Sequence, residues 1–280
     1  MAIFSPSPLI RWWKNEFSPS DGRQRGFTLV ELLVALAIFL VITGAAFTLL
    51  GTSQKHYQTE SQLLTSFQEA RLGLDQIVRD VNDAGYPPPT FVGTDLTKFT
   101  SAPFAWSPNY PATPCTVDIA CITPGDFDII IETNPNPQDA GSQVEWIRYA
   151  LQGTTLMRGV ALKQSGHDPA VDAATFFVPF VQNVVNNSPT LQIGQFQLSA
   201  AYPNVFPSGN PVPIFTYTCD TPTTALPPPT LCSAALADNS PANIRDVAIT
   251  LIVASPLPDA TTGQPLLVQL TARGHRLNPN

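Results

Sequence analysis

An almost unbroken apolar run stands near the start of the chain. Leu32–Ala46 contains no charged side chain, and the flanking segments Phe27–Val30 and Phe47–Leu50 are also mostly apolar. Together they reach the length of about 20 residues that an α-helix needs to cross the hydrocarbon core of a bilayer. The pattern therefore predicts a membrane-spanning helix over residues 27–50.

Beyond this run the apolar residues become periodic. Between Leu63 and Val81 they recur at three- and four-residue steps, with acidic and basic residues between them, which is the pattern of an amphipathic helix. Gly85 and the prolines at 87–89 then end the helix, because glycine favours the C-terminal cap and proline lacks the amide hydrogen that a helix needs. We expect one N-terminal helix over residues 27–85.

The remainder, residues 86–280, has the pattern of a β-rich body. Short apolar or alternating segments are separated by turns rich in proline, of which the chain has 29, and Gly153 falls where a hairpin turn is expected. With the long helix packed on it, this body predicts an α+β fold with antiparallel strands. The predicted strands are Phe127–Glu132, Val144–Leu151, Thr155–Arg158, Phe176–Val185, Leu191–Tyr202, Ile214–Tyr217, Asp246–Ala254 and Leu266–Arg273.

The formal net charge of −7 is unevenly distributed. Residues 1–26 are net positive, and Arg23 and Arg25 directly precede the apolar run, which by the positive-inside rule places the N-terminus in the cytoplasm and the body outside. The body is acidic, so we expect no direct binding to nucleic acid. A secretory signal peptide cut near Ala46 and an ordinary signal anchor both fit this pattern.

The four cysteines form two close pairs along the chain. In an exported chain an even number of cysteines favours disulfides, and short loops favour Cys115–Cys121 and Cys219–Cys232 among the three possible connectivities. A metal site is the alternative. It is disfavoured because neither pair has the spacing of a zinc motif.

Residues 26–33, Gly-Phe-Thr-Leu-Val-Glu-Leu-Leu, resemble the processing motif of type IV prepilins and type II secretion pseudopilins. The resemblance implies that residues 1–26 are a leader and that prepilin peptidase cleaves between Gly26 and Phe27. It also implies that the same enzyme methylates the new amine of Phe27, and that the chain has a type IV pilin-like fold.

Glu31 is a carboxylate in an otherwise apolar segment, where an unpaired charge is costly. After cleavage Phe27 would carry a free ammonium four residues away on the same helix face, and the helix dipole favours an acidic group in the first turn. In a filament Glu31 would instead pair with the ammonium of an adjacent subunit and fix the axial register. The alternative is a glutamate that is merely tolerated near the membrane interface.

Residues 71–86 are similar to the end of the helical stem in J-type pseudopilins and W-type minor pilins, and parts of the body follow the W-type order. The resemblance implies a structural minor pilin that primes or caps a type IV pilus. The alternatives are a J-type subunit of a secretion pseudopilus and a tip adhesin. The implied partners are prepilin peptidase, other minor subunits, the major pilin and the inner-membrane assembly platform. The implied location is the inner membrane, with the body in the periplasm, and then the filament.

Catalysis is not indicated by any motif, so we expect no enzyme activity, cofactor or metal. His56, His167 and His275 are far apart in the sequence and outside known catalytic signatures. Asp126 and Asp128 could face one side of a strand as an acid pair, but a solvated strand edge is the simpler interpretation.

Overall fold

The architecture is a long helix followed by antiparallel sheets, which confirms the predicted α+β fold. Helix α1 spans Leu29–Asn82, and among the described residues it is the helix long and apolar enough to cross a membrane, by length and composition. The computed structural model describes residues 26–88, 95, 97–105, 124–136, 139, 141–220, 230–232, 241–259 and 261–278.

The chain divides into two compact units, Met1–Gly51 and Thr52–Asn280. The described residues of the first unit are mainly residues 29–51 of α1, the apolar half of the helix; residues 52–82 are its amphipathic half. Large apolar side chains of the first unit, such as Phe27, Leu33 and Leu50, are exposed. The second unit contains the amphipathic half of α1 together with every described strand. The hydrophobic core of the described chain therefore lies in the second unit.

The first sheet contains four strands: β1 (Asp128–Thr133), β2 (Glu145–Gln152), β3 (Thr155–Leu162) and β4 (Val178–Val181). They form an antiparallel meander in the order β1-β2-β3-β4. Gly153 turns the chain between β2 and β3 with a φ of +59°, which confirms the predicted hairpin. A short helix, α2, spans Pro169–Thr175 before the last strand.

The second sheet contains β7 (Phe215–Cys219), β8 (Thr230–Leu231), β9 (Ile244–Ala254) and β10 (Leu267–His275). It has the order β10-β9-β7-β8 and is also antiparallel. Its two longest strands, β9 and β10, confirm the predicted C-terminal pair. A separate hairpin, β5 (Gln192–Ile193) with β6 (Phe196–Gln197), leads into the single-turn helix α3 (Leu198–Ala201), and two 3₁₀ turns cover Pro207–Gly209 and Pro241–Asn243.

Three predicted strands are wrong in extent. The strand expected over Thr155–Arg158 continues to Leu162 as β3. The strand expected over Phe176–Val185 is limited to β4, because Phe176 caps α2 and Asn183 has a φ of +59°. The strand expected over Leu191–Tyr202 is a tight hairpin and a helical turn, because Gly194, with a φ of +65°, reverses the chain after two residues. The alternating polarity of Leu191–Tyr202 therefore comes from turns and not from the pleat of a strand.

One face of the amphipathic half of α1 packs against both sheets. Ala70, Leu74, Ile77 and Val81 are buried on this face, as the helical periodicity predicts. Gly274 in β10 lets the strand approach closely, because a Cβ at this position would lie 2.5 Å from Cγ1 and 2.7 Å from Cβ of Val81. The sheet residues in the same cluster include Ile129, Ile131, Ile147, Tyr149, Leu156, Phe215, Val247, Ile249 and Leu251.

Replacing Gly274 tests this close approach. We expect Gly274→Ala to reduce the free energy of unfolding of the body by about 1–3 kcal/mol, because a methyl group must displace the rigid β-branched side chain of Val81. Gly125→Ala is the control, since its Cβ would only reach ordinary contact at 3.8 Å from the Asp128 carbonyl. Thermal unfolding of the full chain in detergent measures both, and equal melting temperatures for the two variants would contradict the packing described.

Candidate functional site

The predicted processing site lies just outside the helix. Gly26, Phe27 and Thr28 are non-helical and exposed, and α1 begins at Leu29. A Cβ at Gly26 would have no neighbouring atom within 4 Å. The peptide bond between Gly26 and Phe27 is therefore accessible and free of helical hydrogen bonding, as a cleavage site needs to be.

Thr28 and Glu31 form a capping box at the start of α1. The amide and the hydroxyl of Thr28 donate to Oε2 of Glu31 over 2.9 and 3.0 Å, and the Glu31 amide donates back to the Thr28 hydroxyl over 3.2 Å. This role of Thr28 was not predicted, although a Thr-x-x-Glu spacing before an apolar run is a known signal of a capping box. Glu31 thus satisfies the amide of Thr28, which has no partner within the helix.

Several predicted sites fall outside the described residues. These are the leader arginines, Arg23 and Arg25, and the pair Cys115–Cys121. The second predicted disulfide, Cys219–Cys232, is confirmed. It joins the end of β7 to the residue that follows β8.

A buried carboxylate connects α1 to the first sheet. Oδ2 of Asp80 accepts hydrogen bonds from the Tyr149 hydroxyl over 2.5 Å and from Nη2 of Arg158 over 3.2 Å, while Gln76 donates to Oδ1 over 2.7 Å. Burial, followed by the nearby charge of Asp80, raises the pKa of Tyr149 far above its usual value, so the phenol stays a donor. These contacts bind the segment that resembles the pilin stem end to β2 and β3.

The last turn of α1 is fixed by further contacts. Gly85 has a φ of +82°, and its amide donates to the carbonyl of Glu132 in β1 over 2.9 Å. Asn82 accepts from the amide of His275 in β10 over 2.9 Å, and its carbonyl accepts from Leu277 over 3.2 Å. The C-terminal end of α1 is therefore hydrogen-bonded to the edge strands of both sheets.

Ion pairs cover the face of the first sheet that lies away from α1. Glu132 and Lys163 are both fully buried and form an ion pair, and Lys163 also donates to the Phe99 carbonyl over 3.0 Å. Asp128 and Arg148 form a bidentate pair, with Nε to Oδ1 at 3.0 Å. The expectation of a solvated edge is therefore wrong for Asp128, because its side chain is neutralised by the neighbouring strand.

Two of the histidines contact polar side chains within the body. Nε2 of His56 lies 2.9 Å from the Thr261 hydroxyl, and Nδ1 of His167 lies 3.0 Å from Oδ2 of Asp172. The second pair borders an open hollow of about 410 Å³, lined otherwise by apolar and uncharged residues of β3, α2 and the segment between them. Among the described residues there is no group of three or more His, Cys, Asp or Glu side chains that could hold a metal ion.

The third histidine belongs to a cluster around Asp246. Nδ1 of His275 lies 2.6 Å from one carboxylate oxygen, and Arg273 and Thr218 donate to the other over 2.6 and 2.9 Å. Burial of Asp246 opposes its ionisation, but these hydrogen bonds outweigh it and hold the pKa of the carboxyl below its usual value. The cluster connects β7, β9 and β10 through one charged group.

Residues 21–47 match the family model described as the prokaryotic N-terminal methylation motif. The match includes the predicted cleavage motif and α1 up to Phe47, and such a motif is typical of prepilins of the type IV pilin and pseudopilin type. Such proteins are structural. No curated protein and no solved structure matches the chain.

The cluster at Asp246 predicts a pH-dependent contribution to stability. A carboxyl whose pKa is lower in the folded than in the unfolded chain stabilises the fold above the unfolded pKa of about 3.9. That stability is lost as the pH falls through the folded pKa. We expect Asp246→Asn to cost about 1–3 kcal/mol at neutral pH, and this difference from the natural chain should shrink below pH 5.

Urea unfolding of the full chain in detergent, from pH 7 down to pH 3, measures this difference. Asp139→Asn is the control, because Asp139 is exposed and its side chain has no hydrogen-bond partner among the described residues. A destabilisation by Asp246→Asn that stayed constant over the whole pH range would refute the assigned role of the carboxylate.

Proposed function

We propose that the chain is a minor pilin that primes or caps assembly of a type IV pilus after processing by prepilin peptidase. The observation that carries the proposal is the position of the motif. The Gly26–Phe27 bond lies in exposed, non-helical chain directly before a helix whose first half buries none of its large apolar side chains.

The apolar half of α1 needs an apolar environment outside its own chain. Exposed apolar side chains such as Leu33, Phe39 and Leu49 would be unfavourable in water. Before assembly the inner membrane supplies this environment, with the leader in the cytoplasm and the body in the periplasm. After assembly the stems of neighbouring subunits supply it.

Glu31 has a second role in this proposal. Cleavage would create an ammonium on Phe27. The next residue, Thr28, already donates its amide hydrogen to the Glu31 carboxylate. Inside a filament the water that could solvate either charge is excluded, so the ammonium of one subunit and the Glu31 carboxylate of its neighbour stabilise each other. Pairing at one axial position then sets how far each subunit enters the filament.

The proposed partners are prepilin peptidase, other minor subunits, the major pilin and the inner-membrane assembly platform. The role is structural and involves no cofactor. A secretion pseudopilus would use the same processing and the same stem, and the long β body favours the pilus. The proposal places the body at the tip of the filament, since a subunit that starts assembly remains at its leading end.

The first test concerns maturation. We expect the natural chain to begin with N-methylated Phe27 in mass spectrometry, and Gly26→Ala to remain at its full length, because a side chain at the cleaved bond would block the peptidase. Gly44→Ala is the matched control, since Gly44 also has no neighbour within 4 Å and lies inside the apolar half of α1. A Gly26→Ala chain that still begins at Phe27 would show that the motif is not the processing site.

The second test separates the charge of Glu31 from its capping role. Glu31→Gln keeps a capping-box acceptor but removes the charge, whereas Glu31→Ala removes both. We expect both variants to be cleaved and both to enter filaments less well by roughly tenfold, because an unpaired ammonium would be buried.

The ratio of the subunit in sheared filaments to that in membranes, measured by immunoblot, reports incorporation. Glu60→Gln is the control, since Glu60 is an exposed carboxylate further along α1. Normal incorporation of Glu31→Gln would mean that capping alone explains the glutamate.

A further inference from the structure

The two four-stranded sheets have four outer edges, and in the described residues three of these are protected. Along β1 the segment before it acts as a partial strand, with the Ala105 amide donating to Ile130 over 2.9 Å and the Glu132 amide donating to Pro103 over 3.0 Å. The edge strand β4 has four residues and contains Pro179, which has no amide hydrogen. The edge strand β8 has two residues and lies next to the Cys219–Cys232 disulfide.

The fourth edge, β10, has none of these features. It has nine residues and pairs with β9 in one continuous register without a bulge. The hydrogen bonds from Ser255 to Leu266 over 2.8 Å and from Arg276 to Arg245 over 3.0 Å fix which residues bond to β9. In an antiparallel ladder the residues between the bonded ones direct their backbone groups outwards.

Those outward-facing residues are Leu267, Gln269, Thr271 and Arg273. Within the described part of the chain, the amide of Leu267 donates to the Tyr202 hydroxyl, and no backbone partner lies opposite Gln269, Thr271 and Arg273. The next outward-facing residue is His275. Its amide donates to the side-chain oxygen of Asn82, so the unpaired part of the edge ends before it. Long, regular and unpaired edges are the surfaces that add a further strand from another chain.

We infer that the outer edge of β10 is a docking site for an extended segment of another protein, which pairs with Gln269–Arg273 as a fifth strand of the second sheet. The inference concerns the β body and does not rest on the cleavage of Gly26. Failure of either one therefore leaves the other standing.

The side chains along β10 define the chemistry of that segment. Leu270 and Ala272 pack partly into the core on one face, whereas Gln269, Thr271 and Arg273 are exposed on the other. A complementary strand therefore alternates apolar residues, which extend the core face, with polar residues.

The basic side chains at one end of β10 indicate that the docked segment carries an acidic residue. The side chain of Arg273 is 57% exposed and that of His275 is 48% exposed, and Arg245 and Arg276 lie at the same end of the strand pair. Their acidic partners are Asp220 and Asp246. A carboxylate on the docked strand beside Arg273 would match the remaining positive charge in an otherwise acidic body.

A peptide probe tests the site on the full chain in detergent. The probe has nine residues in which valine alternates with threonine and has one glutamate placed to lie beside Arg273. We expect it to slow amide hydrogen exchange at Gln269, Thr271 and Arg273 by at least about tenfold at saturation, because these amides gain a partner. The amides of Leu270 and Ala272 already bond to β9 and should change little.

Matched variants distinguish docking from general association. Thr271→Pro removes one outward amide and leaves the β9 ladder intact, so it should weaken probe binding about tenfold, whereas Thr271→Val keeps the amide and should change binding less than about twofold. A probe with lysine in place of glutamate should bind more weakly than the original. That comparison needs no change to the protein.

Two outcomes would overturn the inference. One is unchanged exchange at Gln269 and Thr271 with millimolar probe, or equal binding to the Pro and Val variants. The other is protection of these amides without probe that grows with protein concentration, because the occupant would then be a second copy of this chain and not a partner strand.

Discussion

The carboxylate of Asp80 is buried between α1 and the first sheet, where it accepts hydrogen bonds from Tyr149 and Arg158. A buried charge that loses its partners costs several kcal/mol, so these donors define which residue of α1 faces β2 and β3. Each residue along an α-helix turns the direction of the side chain by about 100°. A slide of one position would therefore remove the Asp80 contacts and turn Leu74 and Ile77 out of the core. The polar contact and the apolar stripe specify the same register of helix on sheet.

The same helix has a first half whose large apolar side chains are exposed among the described residues. Helical hydrogen bonds satisfy the amides there from Leu32 onwards, and the capping box adds partners for the amides of Thr28 and Glu31. In the proposed function, lipid or the helices of other subunits would stabilise these exposed side chains. Folding of the body and placement of the stem are thus driven by separate environments, although one continuous helix, Leu29–Asn82, belongs to both.

Periodicity predicted α1 and the long strands because many residues repeat the same signal in each of them. It was wrong over Leu191–Tyr202, where Gly194 reverses the chain too soon for any period to develop. The helix α2 was missed, although Asp168 followed by proline is a helix-start signal. The partners of Asp80 and Lys163 could not be predicted, because they come from distant parts of the chain and depend on sheet register. Near Gly26 the sequence predicts a cleavage motif, and cleavage there stays a prediction, whereas the Thr-x-x-Glu spacing was sufficient to predict the capping box.

Charged residues make up only 12% of the chain, and several of them form ion pairs within the body. Arg148, Arg158 and Lys163 are each paired with a carboxylate on a neighbouring element. Few charges remain for the common protection of edge strands by lysine or by inward-pointing charge. The other edges are closed by proline, by a covering segment or by shortness, which need no charge. On β10 Arg273 is itself bound to Asp246. Because the other three edges of the four-stranded sheets are closed by different means within the described residues, the open edge of β10 favours the inference that another polypeptide covers it.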